Sequence, residues 1–525
     1  MFEIAVLIGI YSYLVYALGL AGLLYKKYLF LTTLIFVILG FLKIKTVKIA
    51  NFFKKTKKQI LKDRLTFIFT ILLFFQVLVN LVGALGPELG FDALWYHLTL
   101  PKIYLQNHKI VFIPGNLLYY SAMPKLIEML YISALAFGKE VLAKLIHFLF
   151  GILSALCLYR LSRRYLKPFA SLISVAIFYF SLVVGWQSIT AYVDLGRTFF
   201  EILALDYFLR WFEKESLADL EKSAIMMGLA ISTKLLALGS LLIFLTLIFK
   251  KNKKNYKNLF YYLILSLGVS LPWFIFSFVH TKNPFYPLFS GILDSSHKLV
   301  SFNFKRFLGD FWKLFLFSAD PLNPLILIFL PLVLIYFKKL SSSLKILFFY
   351  CFLTYVFWYF IPRTGGGRFF LPYLPAWSLV CGSVLDLVFN KNIKKILLFF
   401  VFLVCLVNLG YRGMANKKFM PVIFKKQSKD EFLTKNLNFK FGDFYDIDGF
   451  FGKNIQKDDL VLIYGIHNLY YVDFPFVHES WSKPGTPVNY VLVKDGDLPE
   501  KFSQSRLVYF QPISKIKLYA LKEKL

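Results

Sequence analysis

The chain has few charged residues for its length, and acidic residues are the scarcest of them. Charged side chains make up 17% of its 525 residues, with 30 Asp and Glu against 61 Lys and Arg, whereas 58% of the residues are hydrophobic. This composition excludes an ordinary soluble protein. Many apolar runs have the length of roughly 17–25 residues that crosses about 30 Å of hydrocarbon, which predicts a multi-pass helical membrane protein.

Cysteine is also scarce, and its placement argues against a CxxC redox site and against a cysteine-ligated metal site. The four cysteines lie inside apolar runs, and none has CxxC or metal-ligand spacing: Cys157, Cys351, Cys381 and Cys405. We predict that they are packing residues. A long internal repeat is lacking as well, so the sequence does not support a transporter built from inverted repeats.

The net charge of +31 would suggest a nucleic-acid partner in a soluble chain. Here the Lys and Arg residues collect in short loops between apolar runs, where basic residues mark the cytoplasmic side and contact anionic headgroups. We therefore expect the bilayer as a partner and no nucleic acid. The first apolar run, residues 3–25, has no small-residue cleavage site after it, so we interpret it as a retained helix that begins in the cytoplasm.

Loop charges predict the topology. The basic loops expected in the cytoplasm are residues 43–64, 160–167, 211–222, 250–257, 338–345 and 390–395. Residues 223–249 then lie between two cytoplasmic loops, so we predict a hairpin of two short helices that bends near Gly228 and Thr233–Lys234. The alternative places residues 211–222 outside. With the hairpin, the membrane domain has 11 to 13 crossings.

The last part of the chain differs from the rest. From about residue 412, short alternating runs such as DLVLIYGI and NYVLVKDG are separated by Gly, Pro and Asp, a pattern that is typical of strands. We predict two domains, a helical transmembrane domain over residues 1–411 and a small extracytoplasmic α/β domain over residues 412–525.

A long outer loop, residues 86–140, contains the most informative acid. Asp92 follows an apolar run whose other flank is basic, so the positive-inside rule places it just beyond the far side of the membrane. A carboxylate at that depth is costly to desolvate and is a candidate for function. Helical spacing of apolar residues after Asp92, and again from Met123–Pro124, predicts two amphipathic helices on the outer surface.

Several motifs fall in an order that resembles a known family. They are DALWYHLTLPKIYLQNHKI (92–110), the Pro of SAMPKLIEMLY (121–131), AYVDLGRTFFE (191–201), GLAISTK (228–234), KNPFYPLF (282–289) and GGGRFFLPYLP (365–375). Over about residues 65–411 the chain is similar to the membrane glycosyltransferases of the C-type fold. The nearest group is glycosyltransferase family 39, the bacterial aminoarabinose lipid A transferases and protein O-mannosyltransferases.

The resemblance implies a mechanism and partners. A sugar carried on a polyprenyl phosphate is transferred with inversion to an acceptor hydroxyl on the outer face of a bacterial plasma membrane. The acceptor is a protein, a lipid or a polysaccharide, and the sugar a hexose or a pentose. The base falls on Asp92 and the second acid on Asp194. The family often pairs two adjacent acids, but here Glu88 lies four residues before Asp92. Because the adjacent acidic pair is absent, the sequence leaves open whether the mechanism uses a divalent cation as cofactor.

The residue types fit this chemistry, although each has a structural alternative. Asp92 and Asp194 suit a base and a substrate contact, or a helix N-cap. Arg368 and Arg363 flank glycines, and guanidinium groups bind phosphate oxygens in pairs, or snorkel to headgroups. Lys102 and Lys125 are further phosphate-binding candidates.

Three other residues complete the predicted site: Tyr96, His97 and Asn283. His97 with His108 is also a weak metal-site candidate.

Two acids lie further along the apolar run that follows Asp194, namely Glu201 and Asp206. Each has an arginine four residues away, so we predict that they are paired within their helix. The runner-up function is a transporter or flippase of lipid-linked saccharides, and a third possibility is a sensor whose tail binds a partner.

Overall fold

The computed structural model describes residues 1–46, 63–251, 256–292, 299–318 and 322–521. The helices are α1 (Phe2–Leu20), α2 (Lys26–Thr46), α3 (Arg64–Leu85), α4 (Thr99–Gln106), α5 (Leu126–Ser162), α6 (Pro168–Tyr179), α7 (Leu182–Gln187), α8 (Asp194–Lys214), α9 (Leu217–Thr233), α10 (Ala237–Lys251), α11 (Tyr256–Thr281), α12 (Phe304–Leu316), α13 (Leu325–Ile335), α14 (Ser342–Phe360), α15 (Leu374–Leu387), α16 (Lys391–Asn416), α17 (Met420–Ile423), α18 (Lys429–Asn436) and α19 (Phe450–Asn454). Most of the predicted basic loop at residues 43–64 lies outside the described residues.

Among the described residues, seven helices are long and apolar enough to cross a membrane. They are Phe2–Leu20, Arg64–Leu85, Leu126–Ser162, Tyr256–Thr281, Ser342–Phe360, Gly366–Leu387 and Lys391–Ile423. Two shorter apolar helices, α6 and α13, add to them. The predicted class, a helical membrane protein with a small sheet domain at its end, is confirmed, whereas 11 to 13 crossings stays a prediction.

The predicted break between two helices is present at one of the two expected places, while the reversal of direction expected of a hairpin stays a prediction. Helix α9 ends at Thr233, and Lys234 adopts an extended conformation before α10 begins at Ala237. Helix α9 has 17 residues, about 25 Å, and begins at Leu217, earlier than predicted. The bend expected at Gly228 is wrong, because α9 continues through it. A side chain at Gly228 would meet the α11 backbone at Ser266, so this glycine allows close helix packing.

The outer loop contains both predicted helices, but only the first has an exposed face. A single π-helical turn, Ala93–His97, leads into α4, whose inner residues are buried and whose end at Gln106 is exposed. The second helix is the start of α5, which is kinked at Gly138 and Lys139. Residues 126–134 are almost all buried, so the prediction of a helix lying on the surface is wrong there. Its aromatic and aliphatic side chains pack inside the protein.

The tail forms a five-stranded sheet in the order β2–β1–β3–β5–β4. The strands are β1 (Val461–Tyr464), β2 (Phe476–His478), β3 (Tyr490–Lys494), β4 (Arg506–Gln511) and β5 (Ile516–Ala520). Strands β1, β2 and β3 pair in parallel, and β5 pairs antiparallel with β3 and β4. Helix α16 runs to Asn416, a few residues past the predicted domain boundary.

The tail contacts the outer loop directly. The Lys102 amine on α4 donates hydrogen bonds to the carbonyls of Tyr470 and Val472, at 2.7 Å each, and to the carboxylate of Asp473 at 2.5 Å. The Tyr470 N–H donates to the carbonyl of Leu94 at 3.2 Å. The sheet domain is thereby fixed to the same turn that follows Asp92.

Candidate functional site

Asp92 lies in the loop between α3 and the π-helical turn. Helix α3 begins at Arg64, after Asp63 caps it by accepting the Thr66 N–H. It ends at Leu85, two residues before Pro87, which lacks the N–H that a continuing helix needs. The Asp92 side chain accepts no capping hydrogen bond from the turn. The N-cap alternative for Asp92 is therefore wrong, and its carboxylate is used elsewhere.

The partner of Asp92 comes from the glycine-rich segment near the end of the membrane domain. The Arg368 guanidinium donates from Nη1 to Asp92 Oδ2 at 2.6 Å, and the Tyr96 hydroxyl donates to the same oxygen at 3.3 Å. The guanidinium also lies over the ring of Tyr192, 5.0 Å from its centre. The Arg368 side chain is 11% exposed, so the snorkelling alternative is wrong.

Asp194 forms the second ion pair. It is the first residue of α8, and Val193 occupies the N-cap position, so the N-cap alternative is wrong here too. The Lys234 amine, placed by the break between α9 and α10, donates to Asp194 Oδ1 at 2.7 Å. His147 fixes this turn, because its ring accepts the Leu195 N–H at 3.0 Å.

The two ion pairs form one cluster. Tyr192, two residues before Asp194, accepts the backbone N–H of Asp92 at 3.0 Å. Each cation also interacts electrostatically with the carboxylate of the other pair. Four sequence-predicted residues are thus brought together, namely Asp92, Asp194, Arg368 and Tyr96. Lys234 had been considered only as part of a bend between two helices.

Two buried atoms of this cluster have no hydrogen-bond partner among the described residues. They are Oδ2 of Asp194 and Nε of Arg368. Buried polar atoms without a partner are uncommon in native proteins, and they mark positions where a ligand can supply the missing bond. One free acceptor and one free donor are therefore available to a polar ligand.

Glu88 is a supporting residue that sequence reasoning missed. Its carboxylate is buried and accepts the N–H groups of Leu89, Gly90 and Ala191 at 2.8, 2.6 and 2.5 Å. It therefore joins the Asp92 loop to the turn that precedes Asp194. The available signal was an acid beside Gly86-Pro87 in an acid-poor chain, and it had been considered only as an acid too far from Asp92 to form an adjacent pair.

The charge of Asp92 follows from its neighbours. Burial by itself raises the pKa of its carboxyl, but Arg368 and then His97 oppose this effect and bring the pKa below its ordinary value. A lowered pKa keeps Asp92 ionised down to acidic pH, and its ion pair weakens only as the pH falls through that lowered value.

The lowered pKa of Asp92 predicts how turnover depends on pH under acidic conditions. Turnover should not decline between about pH 7 and pH 5 through protonation of Asp92, because the ordinary pKa of Asp is already near 3.9. In Arg368→Gln, burial remains without the cation, so the acidic limb should move to higher pH. Measuring kcat/KM against pH for both proteins checks this, and an unchanged limb in the variant would contradict it.

The site does not fit a divalent cation. No group of three or more His, Cys, Asp or Glu side chains is placed to hold a metal ion in the described part of the chain. Each of the two central carboxylates is already paired with a side-chain cation. Lys234 and Arg368 therefore place two positive charges beside these carboxylates.

We expect transfer activity to survive metal removal for the same reason. EDTA treatment followed by assay in metal-free buffer should leave turnover within about twofold of the untreated value. Adding Mg²⁺, Mn²⁺ or Zn²⁺ back afterwards is the control. A loss of activity that one of these ions restores would contradict the expectation.

Both predicted lysines have structural partners. The three N–H groups of the Lys102 amine all donate hydrogen bonds to residues of the tail. Lys125 is buried, which lowers the pKa of its amine to about 7, and it donates to the carbonyls of Tyr120, Ser121 and Met123. We leave both lysines out of the proposed site, because their donors are already in use.

The remaining predicted residues that the structure describes, His97, His108 and Asn283, each contact a different part of the protein. His97 pairs through Nδ1 with Glu128 Oε1 at 2.8 Å, behind Tyr96, whereas His108 stacks on Tyr25 with ring centres 4.0 Å apart. Asn283 donates to the Leu288 carbonyl at 2.5 Å, which stabilises its own turn. The side chain of Arg363 lies outside the described residues.

The two predicted pairs within α8 are confirmed. Arg197 Nε lies 2.5 Å from Glu201 Oε1, and Arg210 Nη2 lies 3.0 Å from Asp206 Oδ2. Asp206 is shared with Arg164, at 2.7 Å. These acids are satisfied by neighbouring arginines rather than left free.

Two solved structures are similar to this chain. ArnT from Cupriavidus metallidurans bound to undecaprenyl phosphate matches with a TM-score of 0.59 and 14% identity, over 86% of this chain and 97% of that one. The apo state of the same protein matches with a TM-score of 0.56 and 12% identity, over 86% and 97%. At this level of identity the likeness shows the fold.

A family profile matches part of the sequence. Residues 128–276 match the family described as dolichyl-phosphate-mannose-protein mannosyltransferase. This segment contains Asp194 and Lys234 but neither Asp92 nor Arg368. A comparison with curated proteins found no significant match.

The fold is that of the C-type membrane glycosyltransferases, and the family match over residues 128–276 agrees with it. The resemblance drawn from the sequence motifs is confirmed. Within that class, the chain is similar in fold to ArnT over nearly the whole length of ArnT.

Proposed function

We propose that the protein transfers a sugar from a polyprenyl-phosphate donor to an acceptor hydroxyl on the outer face of the membrane. The observation that carries the proposal is the convergence of Asp92, Asp194, Arg368 and Lys234 from four separate segments. The undecaprenyl phosphate bound to ArnT supports the choice of donor.

In this proposal Asp92 is the base. Its ionised carboxylate removes the proton of the acceptor hydroxyl as that oxygen attacks the anomeric carbon of the sugar. A new bond forms between the acceptor oxygen and the anomeric carbon, and the bond from that carbon to the phosphate oxygen breaks. The polyprenyl phosphate leaves with the electron pair, and attack from the opposite face inverts the anomeric centre.

Arg368 stabilises the departing phosphate. A guanidinium has five N–H donors, and Arg368 uses Nη1 on Asp92 while Nε is free. It can therefore hold the base and a phosphate oxygen at the same time. Since a phosphate with low pKa leaves without protonation, electrostatic stabilisation is the main contribution required.

The second ion pair binds the donor. Lys234 has two N–H donors beyond the one on Asp194, and these can bind an anionic group of the donor. In this proposal the unpaired Oδ2 of Asp194 accepts a hydrogen bond from a hydroxyl group of the sugar. We assign Lys234 to the phosphate and Asp194 to the sugar.

A reconstituted assay tests the function. Purified protein in lipid nanodiscs is incubated with undecaprenyl-phosphate-linked hexoses and pentoses and with peptide, lipid and polysaccharide acceptors. Sugar transfer to one acceptor class, with release of undecaprenyl phosphate, is expected. Movement of labelled donor lipid across liposomes without transfer to any acceptor would instead support the flippase alternative and overturn the proposal.

A further inference from the structure

A second buried polar group lies one helical turn along α8 from Asp194. It consists of Arg197, Glu201, Ser240 and Tyr373, and each of these side chains is at most 1% exposed. None of them belongs to the ion pairs of the proposed site. A buried charged group inside a membrane domain is costly unless every member is paired, so this one requires an explanation.

The four side chains are hydrogen-bonded to one another, and Nη1 of Arg197 has no hydrogen-bond partner among the described residues. Arg197 Nε lies 2.5 Å from Glu201 Oε1, and its Nη2 donates to the Tyr373 hydroxyl at 3.0 Å and to the Ser240 hydroxyl at 3.2 Å. Ser240 donates to Glu201 Oε2 at 2.9 Å and lies 3.0 Å from the Tyr373 hydroxyl. The group carries no net charge, which suits its burial.

The members come from three of the four segments that carry the site. Arg197 follows Asp194 by three residues on α8. Ser240 follows Lys234 by six residues on α10. Tyr373 follows Arg368 by five residues, at the end of the 3₁₀ segment Arg363–Tyr373. The segments that provide Asp194, Lys234 and Arg368 to the site therefore also provide the members of this group, whereas the Asp92 loop provides none.

We propose that the Arg197–Glu201–Ser240–Tyr373 group positions Lys234 and Arg368 relative to Asp194 for sugar transfer. The inference rests on the proposed function and deepens it. Lys234 lies in a break between helices and Arg368 in a 3₁₀ segment, so regular helical hydrogen bonding alone does not hold either one. A displacement of about 1 Å at such residues lowers turnover about 100-fold.

The alternative is that the group only stabilises the fold, and an apolar replacement separates the two roles. Removing one partner of a buried pair destabilises strongly, whereas replacing the whole pair by apolar side chains of similar size is often neutral. The double variant Arg197→Met, Glu201→Leu therefore removes the polar connections while the helix packing remains. Tyr373→Phe and Ser240→Ala each remove one hydroxyl and leave the ion pair intact.

Two matched controls come from outside the group. Tyr262→Phe removes a buried hydroxyl that lies 3.1 Å from the Ser223 hydroxyl. Asp206→Asn removes a carboxylate paired with arginines toward the other end of α8. Both should leave turnover, donor affinity and the pH profile unchanged.

The experiment measures Tm, affinity for undecaprenyl phosphate, kcat, KM and the pH profile in nanodiscs. We expect the double variant to keep a Tm near that of the wild type, to lose about 10- to 100-fold in kcat, and to bind undecaprenyl phosphate more weakly. Tyr373→Phe should lose about tenfold in kcat. Because a displaced Arg368 no longer lowers the pKa of Asp92, the acidic limb should move to higher pH, which a purely structural role would not produce.

The outcomes separate this inference from the proposed function. If the wild type binds undecaprenyl phosphate but transfers no sugar, the proposed function fails, and the affinities still test the positioning role. If the double variant does not fold, Tyr373→Phe and Ser240→Ala decide. Single hydroxyl variants with wild-type Tm, affinity, kcat and pH profile would overturn the inference.

Discussion

Replacing Asp92 by Asn is expected to lower kcat about 100- to 10,000-fold, the range that general base catalysis contributes. The amide oxygen can still accept the Arg368 hydrogen bond, so the fold should remain. The donor KM should change little, because Asn cannot remove a proton but leaves the phosphate contacts in place. Initial rates of transfer in nanodiscs, with Tm measured alongside, test this expectation.

Asp458→Asn is the matched control for that variant. Asp458 lies in the tail and is exposed, so the substitution removes the same charge far from the proposed chemistry. A second variant, Asp92→Glu, retains a carboxylate but moves it by one methylene, and it should recover part of the lost turnover. Full activity of Asp92→Asn would remove Asp92 from the role of base.

Replacing Arg368 by Gln is expected to lower kcat about 100- to 1000-fold, the loss seen when one stabilising donor is removed from a developing oxyanion. Affinity for undecaprenyl phosphate should fall as well, since the variant lacks the charge that attracts the phosphate. Arg368→Lys keeps the charge but not the planar arrangement of donors, so it should recover affinity more than turnover. Rates and binding isotherms measured on the three proteins provide the test.

Arg506→Gln is the control, because Arg506 is an exposed residue of β4. It removes an arginine without altering the membrane domain. Unchanged donor affinity in Arg368→Gln at wild-type Tm would show that phosphate is bound elsewhere.

Composition and motif order predicted the fold class well, because both depend on features that are local in the chain. A span is recognised from consecutive apolar residues, and strands from short alternating runs. The failures arise where segments distant in sequence decide the outcome. The helix at residues 126–134 was predicted to lie on the surface, but tertiary packing against such segments buries it.

The site was predicted in part for a related reason. Asp92, Asp194 and Arg368 stand out because charge is rare in this chain, and rarity is visible in the sequence. Their pairing is not visible, since Arg368 follows Asp92 by 276 residues. Glu88 was considered only for its spacing from Asp92, and Lys234 only as part of a bend. Each was underestimated because it also has a partner on another element, Ala191 and Asp194 respectively.

The contact between the tail and the outer loop has a consequence for handling the protein. The Tyr471 hydroxyl donates to the Glu88 carbonyl at 3.0 Å, and the Tyr470 N–H donates to the Leu94 carbonyl, so hydrogen bonds from the tail reach both sides of Asp92. Truncation of the sheet domain would therefore also remove hydrogen bonds to the loop that contains Asp92. A shortened chain would expose those two carbonyls and release the loop that holds the base, so loss of activity on truncation would not by itself indicate that the tail binds substrate.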